Sequence, residues 1–148
     1  YVVGGVTRGL FVAIVVTLVS LFFTRLHIHN FFIVIVIVLM TSTLFALAGF
    51  INAVFANSFD DISIIPTFVL TPLIYLGGVF YSMDLLPDFW AGVSKLNPLV
   101  YVVNAFRYGV LGVSDVNLLF SFGMIGLFTA AAFAFSMHLL NSGKRLRQ

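Results

Sequence analysis

The sequence predicts an all-α membrane protein, with about four transmembrane helices and a broken hydrophobic element between the last two. Two observations carry that prediction. The 148 residues are 61% hydrophobic and 8% charged, with a mean hydropathy of +1.17, whereas a soluble domain needs far more surface charge. The apolar residues also fall into runs of the roughly 20 residues that a helix, rising about 1.5 Å per residue, needs to cross a bilayer. Phe occurs 18 times and Glu not at all, so the surplus apolar surface faces lipid. Cysteine is absent, which excludes disulfides and thiolate metal sites. A net charge of +2 is too small to imply nucleic acid.

Residues 2–24 are the first expected span. Arg8 lies near its start, where it can snorkel to the interface. Gly5 and Gly9 form a small-xxx-small face, which either packs closely on another helix or reflects how common glycine is in membrane helices. The chain opens at Tyr1 without a methionine or a basic stretch, so this run is not a signal peptide; it reads as the C-terminal part of a longer protein. Residues 25–30, RLHIHN, are a short polar connection. Residues 31–56 are the second span. Its opening FFIVIVIVLM is rich in β-branched residues, but lipid leaves an open strand edge unpaired, and the apolar run is long enough for a helix. The second half mixes Thr, Ser, Ala, Gly and Asn52, a composition that faces other helices, and Gly49 and Ala53 repeat the small-residue spacing.

Asn57, Ser58, Phe59, Asp60 and Asp61 are the next connection. Ser58 or Asp60 can cap the following helix, and the aspartates suit its positive end. The third span, residues 62–83, contains Pro66 and Pro72. Each removes a backbone hydrogen bond, which membrane helices tolerate where neighbours satisfy the freed carbonyls. With Gly77 and Gly78 they form a candidate hinge. Residues 85–111 stay apolar and aromatic, but Pro87, Gly92, Pro98 and Gly109 cut them into pieces too short to span. One account is an interfacial loop anchored by its aromatics. The other is a re-entrant helical hairpin, turned at Asn97-Pro98, that dips into the outer leaflet and caps a path; its candidate gate is Pro87, Trp90, Asn97, Pro98, Tyr101, Asn104 and Arg107. Ser114 and Asp115 are expected to cap the last span, residues 116–140, whose Gly123, Gly126 and alanines are again a packing composition.

Lys144, Arg145 and Arg147 follow that span directly and belong on the cytoplasmic side. Counting back places Tyr1, Arg8 and residues 57–61 inside, with Arg25, Lys95 and Arg107 outside. Neither a repeat nor a low-complexity linker divides the chain, which reads as one membrane domain.

No catalytic constellation emerges. His27 and His29 are two apart and do not align on a helix face; as metal ligands in a loop they lack a third partner nearby. His138 suits an interfacial position. Asp60 and Asp61 are better placed for capping than for acid–base work, and Asp84 and Asp88 for solvation. No GxxxxGK[ST] phosphate loop is present, so any ATP is bound by another chain. The spans hold essentially no ionisable residues, which disfavours an ion-coupled carrier and suits a protein driven mechanically.

The stretch from Ile62 to Gly112 resembles the C-terminal signature region of ABC-2 type permeases. The likeness rests on the P-x(5)-P spacing of Pro66 and Pro72, the LGGVFYS run, and the NP-L-x-Y-x-x-N-x-F-R run from Asn97 to Arg107. It implies the membrane subunit of a bacterial inner-membrane ABC exporter, with glycans, lipid-linked compounds or drugs as cargo. It also implies six helices per permease, of which this chain is the last four. Two permeases would join two ATPase subunits, which bind ATP and Mg, and both termini would be cytoplasmic. By the same resemblance, residues 57–61 contact the ATPase and residues 85–111 form the outer hairpin. The competing reading is a non-transporting membrane scaffold whose outer element binds a partner. An intramembrane enzyme would need catalytic residues that the sequence does not supply.

Overall fold

A computed structural model describes residues 1–23, 25, 27–77, 87–113 and 117–143. Among these all regular structure is helical: α1 Val2–Phe23, α2 Phe31–Phe55, α3 Phe59–Ile65, a π-helical segment Pro66–Leu70, α4 Thr71–Leu76, α5 Asp88–Ser94, α6 Pro98–Leu111 and α7 Leu118–Ser142. The helical run Phe59–Leu76 is continuous, so it joins α1, α2 and α7 as a helix long and apolar enough to cross a membrane. The expected four spans are present.

The bundle is organised around α2, which packs on α1, α6 and α7, while α6 and α7 pack on each other. Ile37, Tyr101, Ala105 and Ile125 form the buried cluster at that junction. On the other side α1 lies antiparallel to α2 at very short range. A Cβ on Gly5 would come within 2.6 Å of Ala46 Cβ, and one on Gly9 within 2.9 Å of Ser42 Cβ. Small residues let the two backbones approach where no hydrophobic force drives helices together in lipid. The facing stripe on α2 is thus Ser42 and Ala46. Gly49 meets the Tyr1 hydroxyl instead, beside the edge-on Tyr1–Phe50 ring pair, and Ala53 is exposed.

Helix ends follow local capping chemistry. Asn30 Oδ1 accepts the Ile33 N–H at 3.3 Å, and Asn117 Oδ1 accepts those of Leu119 and Phe120. The last helix therefore starts at Leu118, two residues later than its expected start at 116. The expected cap, Ser114 and Asp115, lies outside the described residues. So do residues 78–83 of the third span, Leu85, and the basic Lys144, Arg145 and Arg147. Gly112 ends α6 with φ 78°, a left-handed conformation that glycine adopts without a Cβ penalty.

Two contacts mark opposite ends of the bundle. His29 N–H donates to Val110 O (3.1 Å) and Asn30 N–H to Gly109 O (2.8 Å), and the His29 ring stands edge-on to Tyr108 at 5.6 Å. The α1–α2 connection and the end of α6 therefore share one end, as the charge count requires of two segments on the same side. At the other end Phe55 stacks on Phe135, centroids 6.2 Å apart.

Candidate functional site

The third span has little lateral support. None of its residues from Phe59 to Leu76 is buried, and only slight contacts tie α3 to α2 and α4 to α6. Its backbone is irregular for a reason visible in the sequence. Pro66 and Pro72 each lack an N–H and crowd the carbonyl four residues earlier, and between them the helix widens into the π segment Pro66–Leu70. Such widenings are frequent at functional sites. The candidate hinge residues Pro66 and Pro72 thus bracket a real irregularity. Gly77 caps its outer end, and Gly78 lies outside the described residues.

Two asparagines hold this span. Pro66 removes the N–H that would pair with Ile62 O, and Asn52 Nδ2, from α2, donates to that carbonyl at 2.9 Å. At the opposite end of the span Gly77 N–H turns to Ile74 O at 3.2 Å, and Asn97 Nδ2 donates to Leu73 O at 2.7 Å. An unsatisfied carbonyl in lipid is expensive, and each interhelical bond of this kind is worth about 0.6 kcal/mol on average and up to ~1.7. The partner of Asn52 was a missed signal. An amide in an apolar span, with a proline on the next helix, marks a donor seeking a freed carbonyl.

Between α2 and α3 the five connection residues converge, but as a helix start. Ser58 Oγ accepts Asp61 N–H at 3.2 Å, and Asp61 Oδ2 accepts Asn57 N–H at 3.0 Å. This reciprocal cap is a relative of the capping box. It draws Phe59, Asp60 and Asp61 into the first turn of α3, three residues earlier than the expected start at Ile62. Phe59 projects from it 90% exposed, over a depression of about 290 Å³ lined by Ala53, Ala56, Asn57, Ser58, Phe59 and Ile62.

Between α5 and α6 the break at Asn97-Pro98 is found where the turn residues place it. Asn97 Oδ1 accepts Leu99 N–H at 3.0 Å, and Pro98 opens α6. Asn97, Tyr101 and Asn104 are buried on one face of α6 or its cap. The Tyr101 hydroxyl donates to Lys95 O at 2.5 Å and Asn104 Nδ2 to Val100 O at 2.7 Å. Arg107 lies one turn further on, half-buried. Trp90 and Pro87 stand apart from this set: both are exposed, with Trp90 edge-on to Phe89 at 5.4 Å. Helix α6 packs between α2 and α7, whereas α5 has no extended interface among the described residues.

A groove of about 460 Å³ runs between α2 and α7, lined by Leu39, Met40, Thr43, Leu47, Gly126, Thr129, Ala130 and Phe133. Its two hydroxyls donate to carbonyls of their own helices, Thr43 to Leu39 and Thr129 to Ile125. What remains toward the groove is apolar. Among the described residues no group of three His, Asp or Glu converges as a metal site would require. His29 instead packs the α1–α2 connection onto the end of α6.

Comparison with known proteins agrees with the resemblance read from the motifs. The family described as ABC-2 type transporter matches residues 1–111. The inner membrane transport permease YadH of Escherichia coli K12 is 54% identical over 147 residues, covering 99% of this chain and 57% of that protein. Nodulation protein J of Rhizobium leguminosarum bv. viciae is 26% identical over 104 residues, covering 70% of this chain and 40% of the relative. The chain therefore spans little more than half the length of the YadH permease and matches less than half of nodulation protein J. No solved structure matches it.

Proposed function

The chain belongs to the ABC-2 type transporter family, and on that premise we propose that it supplies four spans of the permease subunit of an ATP-driven exporter. The family match over residues 1–111 carries this reading, and the likeness to an inner membrane transport permease supports it. The protein sits in the bacterial inner membrane with its C-terminus in the cytoplasm. A separate subunit binds ATP and Mg, and a second permease copy completes the path. Residues 57–61 receive the ATPase, and α5 and α6 form the outer gate, re-entrant from the far side. That orientation is supported by the shared end of the α1–α2 connection and α6, opposite the Asn57–Asp61 turn.

Little in the described spans can carry an ion. Movement of α3 and α4 driven from the inner end is the physical alternative, and their sparse packing favours it. Purifying the full-length permease with candidate ABC ATPase subunits from the same cell tests the proposal. Association, and ATPase activity stimulated in proteoliposomes, are expected. A permease that binds no such ATPase would instead favour the scaffold reading.

A further inference from the structure

We propose that Asn52 and Asn97 are positioning residues of the transport movement, two latches that hold the third span at opposite ends until it pivots about its π segment. The use of the pivot in transport rests on the function proposed above; the latches themselves do not.

The span's backbone has three weak places, each set by a residue whose chemistry is plain. Pro66 frees Ile62 O near the inner end. The π segment Pro66–Leu70 lies in the middle. The turn of Gly77 N–H to Ile74 O frees Leu73 O near the outer end. Among the described residues the two terminal carbonyls are met from other parts of the chain, Ile62 O by Asn52 at 2.9 Å and Leu73 O by Asn97 at 2.7 Å. Between these bonds most side chains are exposed, Phe68 among them at 71%, so little packing among the described residues holds the span in place.

The two latches also differ in what anchors them. Asn52 sits on α2, the centre of the bundle. Asn97 is buried and committed through Oδ1 to the cap of α6, so it ties the span to the proposed gate. A push on the Ser58–Asp61 cap acts one to four residues from the Ile62 carbonyl and loads the inner latch first. The outer latch then passes the displacement to the start of α6. Each bond connects a side chain to a backbone carbonyl, and such a bond breaks and reforms without repacking a core.

Spin-label pairs in a cysteine-free version of the full-length permease, reconstituted in lipid, read this directly. Exposed positions serve as labels: Ile64→Cys with Met137→Cys for the inner end, and Ile74→Cys with Leu119→Cys for the outer. Asn52→Ala should broaden the inner distance distribution about twofold or more and leave the outer unchanged; Asn97→Ala should do the reverse. The decisive arm uses Pro66→Ala, which restores an N–H to Ile62 O. In that background Asn52→Ala should change nothing, because the latch has no orphan carbonyl to hold. Broadening at both ends in either single variant, or an Asn52→Ala effect that survives Pro66→Ala, overturns the proposal. If the latches behave as stated but ATP and the ATPase subunit shift neither distance, the latches stand and the transport reading falls.

Discussion

The Asn97 amide bonds to the carbonyl of Leu73, 24 positions away, over 2.7 Å, while its oxygen caps the helix that it begins. One side chain thus joins the third span to the start of α6, past the intervening α5. Neither an aspartate nor a serine can make both bonds at once, since a carboxylate can accept the Leu99 N–H but has no donor for Leu73 O, and a hydroxyl is too short to serve both partners.

Replacing it separates the two contributions. Asn97→Ala removes the cap, about 1 kcal/mol, and the tether, up to ~1.7 kcal/mol, so a loss of about 2 kcal/mol is expected. Asn97→Ser keeps an acceptor for Leu99 N–H and should lose roughly half of that. Equilibrium unfolding of the full-length protein in micelles makes the comparison. A serine variant as stable as the parent would leave the tether contributing nothing.

The α1–α2 contact predicts a compensating pair. A Cβ at position 9 would meet Ser42 Cβ at 2.9 Å, so Gly9→Ala should cost about 1–3 kcal/mol, as overpacked sites do. Ser42→Gly removes the obstructing atoms, and the double variant should recover most of the loss, because contacting sites couple. Measured unfolding free energies that simply add would place the helices further apart than they lie here.

How much of this was legible in the sequence depends on what kind of contrast a feature needs. The spans were readable because length and apolarity alone define them, and the break at Asn97-Pro98 because proline chemistry is local. The Ser58 cap was also local, though its reach back to Asn57 through Asp61 pulled the helix start to Phe59. Helix faces were harder. In lipid both the packed and the lipid-facing sides of α2 are apolar, so polarity does not distinguish Ser42–Ala46 from Gly49–Ala53, and side-chain size alone offers two equivalent stripes. The Asn52–Ile62 bond was half legible: an amide in an apolar span before a proline-bearing helix marks a donor, but which carbonyl it meets depends on how the two helices sit.

Gly112 carries a second constraint. Its φ of 78° is left-handed, which costs an L-residue roughly 1–2 kcal/mol. A Cβ there would also stand 3.1 Å from the His29 ring. Gly112→Ala should therefore lower stability by more than the backbone strain alone, and His29→Ala in that background should return only the steric part. Thermal unfolding of the two variants separates them; full rescue by His29→Ala would mean that the backbone bears no strain.

On the Asn57–Asp61 turn, proposed above to receive the ATPase subunit, Phe59 is the side chain most suited to grip a partner. It is 90% exposed on a turn held by the Ser58–Asp61 and Asp61–Asn57 bonds, so the ring is presented by ordered backbone. Burying a phenylalanine side chain fully yields about 1.5–3 kcal/mol. Phe59→Ala should therefore weaken binding of the ATPase subunit by at least about tenfold, which is ~1.4 kcal/mol, while leaving membrane insertion intact. Asp61→Ala leaves the ring in place and loosens the turn beneath it, so a smaller loss of affinity is expected. Titrating the ATPase subunit onto the full-length permease in lipid nanodiscs gives both values. Unchanged affinity in Phe59→Ala would move the contact away from this turn and remove the first step by which a push could reach the Asn52 latch.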